Sequence, residues 1–208
     1  SAGNSHTYSF GDDRFIFAKT ASHVNPFTTV LRLSALEDSD GVIAISSASP
    51  FYFYPWAADN SSAFNVYDGR LVLNSVNGAE NAALTMPFYM QYWNGSAYAL
   101  NTADSCSSLN ATYMLMNDAS NWSGINLRTS NSVSSSATTN AMLSAAVAQG
   151  AGSILFTAPN NTGWVDIRAS SSLPLWMQDL SLSSGLTPTR ASFGYYRGND
   201  RLIYRREV

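Results

Sequence analysis

The feature that most constrains the fold is the alternation of apolar and polar residues with a period of two along much of the chain. Segments with this pattern lie at 14–19, 70–74, 154–157, 164–168 and 202–205. Clusters of Gly, Asn and Asp separate them, and Asp-Gly or Asn-Gly pairs occur at 40–41, 68–69, 77–78 and 94–95. Such pairs supply the positive φ angles that tight hairpin turns require. Short alternating strands joined by these turns predict an all-β, mainly antiparallel β-sandwich.

Two stretches leave the local structure open. Residues 139–149 favour a short helix through their Ala and Met content and the glycine that follows, but their apolar residues also alternate as in a strand. We therefore expect at most one short helix. The Ser-rich residues 126–140 predict a mobile loop or a connection between lobes. Residues 1–208 are interpreted as a single β domain, and a junction between two lobes, if there are two, is expected near 125–140.

Composition excludes several classes of protein. Charged residues make up 12% of the chain, about half of the roughly 25% found in ordinary soluble proteins. A net charge of -3 argues against nucleic-acid binding. The single cysteine, Cys106, excludes an intrachain disulfide and a cysteine-based zinc cluster. The apolar stretch 141–156 is too short and too interrupted to cross a bilayer, so no membrane span is expected. Ser, Asn and Thr replace the missing charges, which indicates an exported protein, extracellular or at the cell surface.

Residues that enzymes commonly use are sparse. His6 and His23 are the only histidines, and no G-x-S-x-G sequence, the signature of a serine nucleophile, occurs. Most aspartates lie in turn sequences, where they hydrogen-bond their own backbone, and no pair stands out as an acid and a base. The sequence therefore predicts a protein without enzymatic activity.

Two segments are candidate ligand sites. The aromatic run at 51–56 (FYFYPW) offers Tyr52, Tyr54 and Trp56 as a stacking platform for sugars or a partner protein. The alternative is a core strand, because aromatic side chains are mostly buried. The acidic segment at 37–41 (EDSDG) offers Asp38 and Asp40 as calcium ligands, although the full EF-hand pattern is absent. The alternative there is an ordinary turn between strands, and no cofactor other than calcium is expected.

The C-terminal segment combines aromatic residues with arginines. Residues 191–207 predict a β-hairpin that is integral to the fold, because its alternating aromatic and aliphatic residues suit a core better than a frayed end. Its arginines would form a basic patch on an otherwise acidic protein. We expect Arg197, Arg201 and Arg205 to dock a neighbouring acidic domain or subunit, the alternative being scattered solvated charges.

Seven segments resemble segments of one known family, and they occur in the same order along the chain as in that family. They are GDDRF (11–15), DSDGV (38–42), DGRL (68–71), QYWNG (91–95), NTADSC (101–106), NTGWVD (161–166) and ASFGYYRGNDR (191–201). The closing segment is the most specific. The chain resembles the C-terminal domain of the MshQ-like proteins of the mannose-sensitive haemagglutinin (MSHA) type IV pilus system, from about Tyr8 to Val208.

The resemblance implies a domain of a large exported surface protein, with other β modules upstream and no assigned catalytic activity. On this basis we expect a non-enzymatic structural or adhesive module that acts in pilus biogenesis or surface attachment. Its expected partners are pilus subunits, other domains of the same protein, or surface glycans. The alternative is a secreted carbohydrate-binding or carbohydrate-active protein.

Overall fold

The computed structural model describes residues 19–29, 64–130, 133–143 and 146–195, together with the backbone of four short strands between residues 32 and 52. These parts of the chain contain seventeen strands, two 3-10 turns and no α-helix. The 3-10 turns are Ala111–Tyr113 and Leu175–Met177. The strands are β1 (Phe27–Thr29), β2 (Arg32–Leu33), β3 (Leu36–Glu37), β4 (Ile43–Ile45), β5 (Phe51–Tyr52), β6 (Phe64–Val66), β7 (Gly69–Leu73), β8 (Val76–Gly78), β9 (Leu84–Trp93), β10 (Tyr98–Leu100), β11 (Met114–Met116), β12 (Ile125–Ser130), β13 (Val133–Thr139), β14 (Ala141–Leu143), β15 (Ala151–Phe156), β16 (Gly163–Ala169) and β17 (Thr189–Phe193).

The first sheet is built around the ten-residue strand β9. Strand β7 pairs with one edge of β9, whereas β15 and β10 share the other edge, and β14 pairs with β15. The two strands on the shared edge meet beside Met90, whose amide donates to the Gly150 carbonyl while its own carbonyl accepts from the Asn101 amide. Gly150 has a φ of 76°, and a Cβ there would lie 2.4 Å from the Asn101 carbonyl oxygen. Glycine is therefore required at this junction.

The second sheet has the order β13-β12-β16-β17-β8, and β11 also pairs with β16. All of these pairings are antiparallel except that of β17 with β8, which is parallel. The parallel pair brings Asn77 beside Ser192, two residues that are far apart in sequence. This pairing places β8 on the outer edge of the sheet, next to the strand that carries Arg190.

The core lies between the two sheets and follows the period of two. In β9 the buried residues Met86, Phe88 and Met90 alternate with partly exposed ones, and in β16 Val165 and Ile167 do the same. Phe156 of the first sheet and Phe193 of the second meet edge to face, with ring centroids 6.2 Å apart. Complete burial of each such side chain contributes about 1.5–3 kcal/mol. The all-β sandwich predicted from the alternation is confirmed.

The structure differs from the local predictions in the polar segments. Residues 141–143 form strand β14, so the strand interpretation of this part of 139–149 is correct. The prediction of a loop over 126–140 is wrong, because β12 and β13 pair as an antiparallel hairpin over most of it. Its Thr139 is buried, and its hydroxyl donates at 2.6 Å to the carbonyl of Thr157, which directly follows β15 of the first sheet, so this polar group is satisfied.

The turn predicted at Asn77-Gly78 is also wrong, since both residues lie in β8. Gly78 packs closely against Leu84, since a Cβ would lie 2.8 Å from Leu84 Cδ1, so a larger residue there would have to displace the end of this side chain. Asn94-Gly95 does join β9 to β10 as a hairpin turn, with Gly95 at a φ of 104°. Of the predicted C-terminal hairpin, β17 is described, and everything after Tyr195 lies outside the described residues.

Candidate functional site

A groove of about 530 Å³ crosses the outer face of the second sheet. We call it the face groove; it is lined by Ser75, Asn77, Trp164, Arg190, Ser192 and Tyr195. Strand alternation places these side chains, because Val165, Ala191 and Phe193 point into the core and their neighbours therefore point outward. The face groove is thus a consequence of β8, β17 and β16 lying side by side.

Aromatic rings form one wall of the face groove. The ring centroids of Trp164 and Tyr195 are 5.7 Å apart and the rings are tilted against each other. The Arg190 guanidinium carbon lies 4.4 Å from the centroid of the Trp164 ring, in a cation–π contact. Tyr195 is 42% exposed. The wall therefore offers a phenol ring to solvent beside an indole that is held in place.

The floor of the face groove carries polar groups with unused hydrogen-bonding capacity. Within the described residues, the side-chain amide of Asn77 and the hydroxyl of Ser192 make no hydrogen bond to protein. Ser75 differs, because its hydroxyl accepts from the Arg190 backbone amide at 3.1 Å. Ser192 is 8% exposed, and buried polar groups are normally paired, so its unpaired hydroxyl beside an open groove indicates a place for a polar ligand or water.

A ladder of charges runs across the sheet beside the face groove. Asp166 Oδ1 accepts from Arg190 Nε at 2.7 Å, and Asp166 Oδ2 accepts from Trp164 Nε1 at 3.1 Å and from Arg128 Nη1 at 3.3 Å. Asp118 continues the ladder, since it pairs with Arg128 Nη2 at 2.6 Å and with Arg168 Nη1 at 3.2 Å. The ladder fixes the orientation of Trp164 and Arg190.

These contacts decide the protonation of Asp166. Burial by itself raises the pKa of this carboxyl, but the hydrogen bonds from Arg190 and Trp164 and the charges of Arg190 and Arg128 outweigh burial, so the pKa lies below its ordinary value. Asp166 is therefore an ionised acceptor at neutral pH. A carboxyl that acts as a general acid needs the opposite shift.

A second groove, of about 370 Å³, lies at one end of the sandwich. Its lining includes the aromatic residues Tyr67, Tyr92 and Trp176 together with Asp104 and Cys106. The Tyr67 and Tyr92 ring centroids are 4.6 Å apart, and Trp176 is 50% exposed. Asp104 Oδ1 is already engaged, because it accepts from the backbone amides of Cys106 and Ser107. We call this the end groove; it is more apolar than the face groove.

A buried polar cluster holds residues 19–29 against the first sheet. Lys19, the single lysine of the chain, has its Nζ 3.2 Å from Asp68 Oδ1 and donates to the carbonyls of Gly69 and Gln178. The two side chains are 6% and 1% exposed. Asp68 Oδ1 makes an ion pair with Lys19 but no well-directed hydrogen bond. The cluster accordingly depends on the charge of Lys19.

Aromatic rings and a second ion pair surround this cluster. His23 stacks on Trp93 with ring centroids 4.4 Å apart, and its Nδ1 lies 3.3 Å from Tyr98 Oη. Arg70 lies 3.6 Å from the centroid of the Tyr98 ring and pairs with Asp179 at 2.7 Å. Burial, followed by the charges of Asp68 and Asp179, raises the pKa of Tyr98 to about 12, against a smaller opposing effect of Arg70.

The described side chains include none of the site residues predicted from the sequence. Tyr52 lies in β5, where only the backbone is described. The others lie outside the described residues and stay predictions: Asp38, Asp40, Tyr54, Trp56, Arg197, Arg201 and Arg205. No cluster of three or more His, Cys, Asp or Glu suited to a metal ion occurs among the residues that the structure describes.

Sequence reasoning missed the face groove. The alternation at 164–168 does identify Trp164 and Asp166 as neighbours on one face of a strand, which was an available signal. It does not reveal that β8 and β17 lie on the same side of β16. The described residues include no helix that is long and apolar enough to cross a membrane.

Comparison with known proteins gives one match. The family described as "DUF6701, fourth domain" matches residues 67–208, which include both grooves and every strand of the two large sheets. No curated protein and no solved structure matches the chain. Because the match covers more than half of the sequence, the chain belongs to the DUF6701 family and carries its fourth domain.

Proposed function

We propose that this chain is a non-catalytic adhesive module of an exported surface protein, and that it binds glycans in the face groove. The observation that carries the proposal is the composition of this groove. Trp164 and Tyr195 supply aromatic surface, while Asn77 and Ser192 supply hydrogen-bonding groups that are unengaged within the described residues.

Sugars have both properties that such a groove serves. Their C–H faces pack against aromatic rings, and their hydroxyls need donors and acceptors to replace the water lost on binding. Binding sites commonly combine an aromatic lining with a few placed polar groups. The ladder beside the face groove adds rigidity, which lowers the entropic cost of binding.

The location at the cell surface and the association with the MSHA type IV pilus are proposed on separate grounds. They rest on the low content of charged residues and on the resemblance of seven ordered segments to MshQ-like proteins. In this setting the partners would be pilus subunits or other domains of the same protein, and the glycan would be the surface to which the assembly attaches.

Binding without hydrolysis is favoured by the carboxylate that Trp164 and Arg190 of the face groove contact. A glycosidase needs one carboxyl with a raised pKa and a second as base or nucleophile. Asp166 accepts from Arg190, Arg128 and Trp164, and its pKa is lowered. It is suited to holding the groove wall in place rather than to donating a proton to a leaving group.

A glycan array tests the proposal with the intact chain. Bound chain is detected through an affinity tag added at the N-terminus, because Cys106 lines the end groove and a label there would obstruct the control site. We expect binding to a subset of glycans, loss of that binding in Trp164→Ala and weakening in Asn77→Ala. Trp176→Ala removes an exposed tryptophan of the end groove and is the matched control, which should bind normally.

The proposal is wrong if no glycan binds, or if Trp176→Ala abolishes binding while Trp164→Ala does not. Hydrolysis of the bound glycans by the wild-type chain, abolished in Asp166→Asn, would instead establish a carbohydrate-active enzyme.

A further inference from the structure

One side chain of the face groove carries donors that nothing in the described structure uses. Arginine has five N–H donors. Arg190 uses its Nε, which donates to Asp166 Oδ1 at 2.7 Å, whereas Nη1 and Nη2 have no partner among the described residues. The Arg190 side chain is 43% exposed and lines the groove. A planar pair of donors is therefore available to a ligand.

The guanidinium is also held in a fixed orientation. The Nε bond to Asp166 anchors one edge, the Trp164 ring packs against one face, and the backbone amide of Arg190 is tied to Ser75. A long side chain that is already ordered loses little entropy when it binds a ligand.

The charge balance favours an anion at this position. Two aspartates of the ladder are shared among three arginines, so the ladder itself has one positive charge in excess, although the whole chain is acidic. Asp118 is shared by Arg128 and Arg168, and Asp166 is shared by Arg128 and Arg190. The excess charge is accessible at Arg190, whose terminal nitrogens lie at the end of the ladder.

From these observations we infer that the face groove recognises a sugar bearing a carboxylate, whose two oxygens accept from Nη1 and Nη2 of Arg190. Paired donors in one plane match the two oxygens of a carboxylate, and such bidentate contacts are among the strongest hydrogen bonds in proteins. The ring of the sugar would contact Trp164 and Tyr195, and its hydroxyls would reach Asn77 and Ser192. This inference rests on the proposed function and narrows it to acidic glycans.

The test compares two probes that differ only at the carboxyl group. Calorimetry is carried out on the intact chain with a glucuronic acid-terminated oligosaccharide and with the same oligosaccharide after its carboxylate has been converted to a carboxamide. We expect the acid to bind at least about tenfold more tightly, the factor that a charge-assisted hydrogen bond provides. This preference should decline as salt is added.

Variants then assign the preference to one arginine. Arg190→Gln should abolish the preference for the acid over the carboxamide. Arg190→Lys, which keeps the charge but not the planar pair of N–H donors, should reduce this preference. Arg168→Gln removes the same charge from an exposed position on the same face, outside the groove. This variant should retain the preference for the acid. If Arg190→Gln fails to fold, as judged by its urea midpoint, the lysine variant alone carries the comparison.

The outcomes separate this inference from the broader proposal. Equal binding of acid and carboxamide, both lost in Trp164→Ala, would refute carboxylate recognition and leave glycan binding intact. Preference for a sulfated probe over the carboxylate would also refute it. Absence of binding to every glycan would refute both.

Discussion

Replacing Lys19 by methionine should destabilise the protein strongly, because it leaves the buried Asp68 carboxylate without its main counter-charge. Both side chains are almost fully excluded from solvent, and Lys19 also donates to two backbone carbonyls. Removing one member of a buried ion pair costs roughly 3–5 kcal/mol. The Val24 amide at 3.3 Å and His23 at 3.6 Å remain near Asp68, so we expect the lower end of this range, about 3 kcal/mol.

Urea unfolding followed by tryptophan fluorescence measures this loss as a shift in midpoint at constant slope. Arg168→Met is the matched control, since its pair with Asp118 is half exposed and should be worth less than about 1 kcal/mol. Adding Asp68→Asn to Lys19→Met removes the stranded charge and should recover part of the loss. A cost below about 1 kcal/mol for Lys19→Met, or no recovery in the double variant, would refute the reasoning.

Three further predictions concern ionisation and backbone strain. The pKa values of Asp166 and Asp179 are lowered in the native state. The stability that these carboxylates provide is therefore present above about pH 4 and is lost as the pH falls through their native pKa values. Unfolding free energies measured from pH 7 downward should show this decline, and Asp166→Asn should make the decline smaller. Ultraviolet titration should find one tyrosine ionising near pH 12, absent in Tyr98→Phe, and stability should fall as the pH rises from about 10 towards that value. Gly150→Ala should destabilise the protein more than Gly124→Ala, because both have positive φ but only Gly150 has a carbonyl oxygen in the way; equal midpoints in thermal unfolding would contradict this.

The prediction of the fold succeeded where a local pattern decides which side chains are buried. Val165 and Ile167 alternate with Trp164 and Asp166 in the sequence, and the same alternation separates core from surface in β16. It failed where polar composition was taken to indicate a loop. Serine and threonine suit a β-hairpin when their hydroxyls face solvent or find partners, as the buried Thr139 does with the Thr157 carbonyl.

The candidate site could not have been predicted from local patterns, because it depends on a long-range pairing. Asn77 and Ser192 meet only through the parallel pairing of β8 with β17, and neither segment encodes its partner. The Asn77-Gly78 turn signal was misleading for a related reason, since both residues lie in β8, where Gly78 packs against the Leu84 side chain. The sites predicted at 38–40, 52–56 and 197–205 stay predictions.

The measurement that most directly tests the central claim is a ¹H–¹⁵N spectrum of the five tryptophan indoles during titration with a glycan identified on the array. The Trp164 indole N–H lies beside the face groove and donates to Asp166, so any ligand seated there must alter its environment. We predict a saturable shift of the Trp164 signal, with the Trp122 and Trp176 signals unchanged. A saturable shift of Trp176 with Trp164 unchanged would place binding in the end groove and contradict the account.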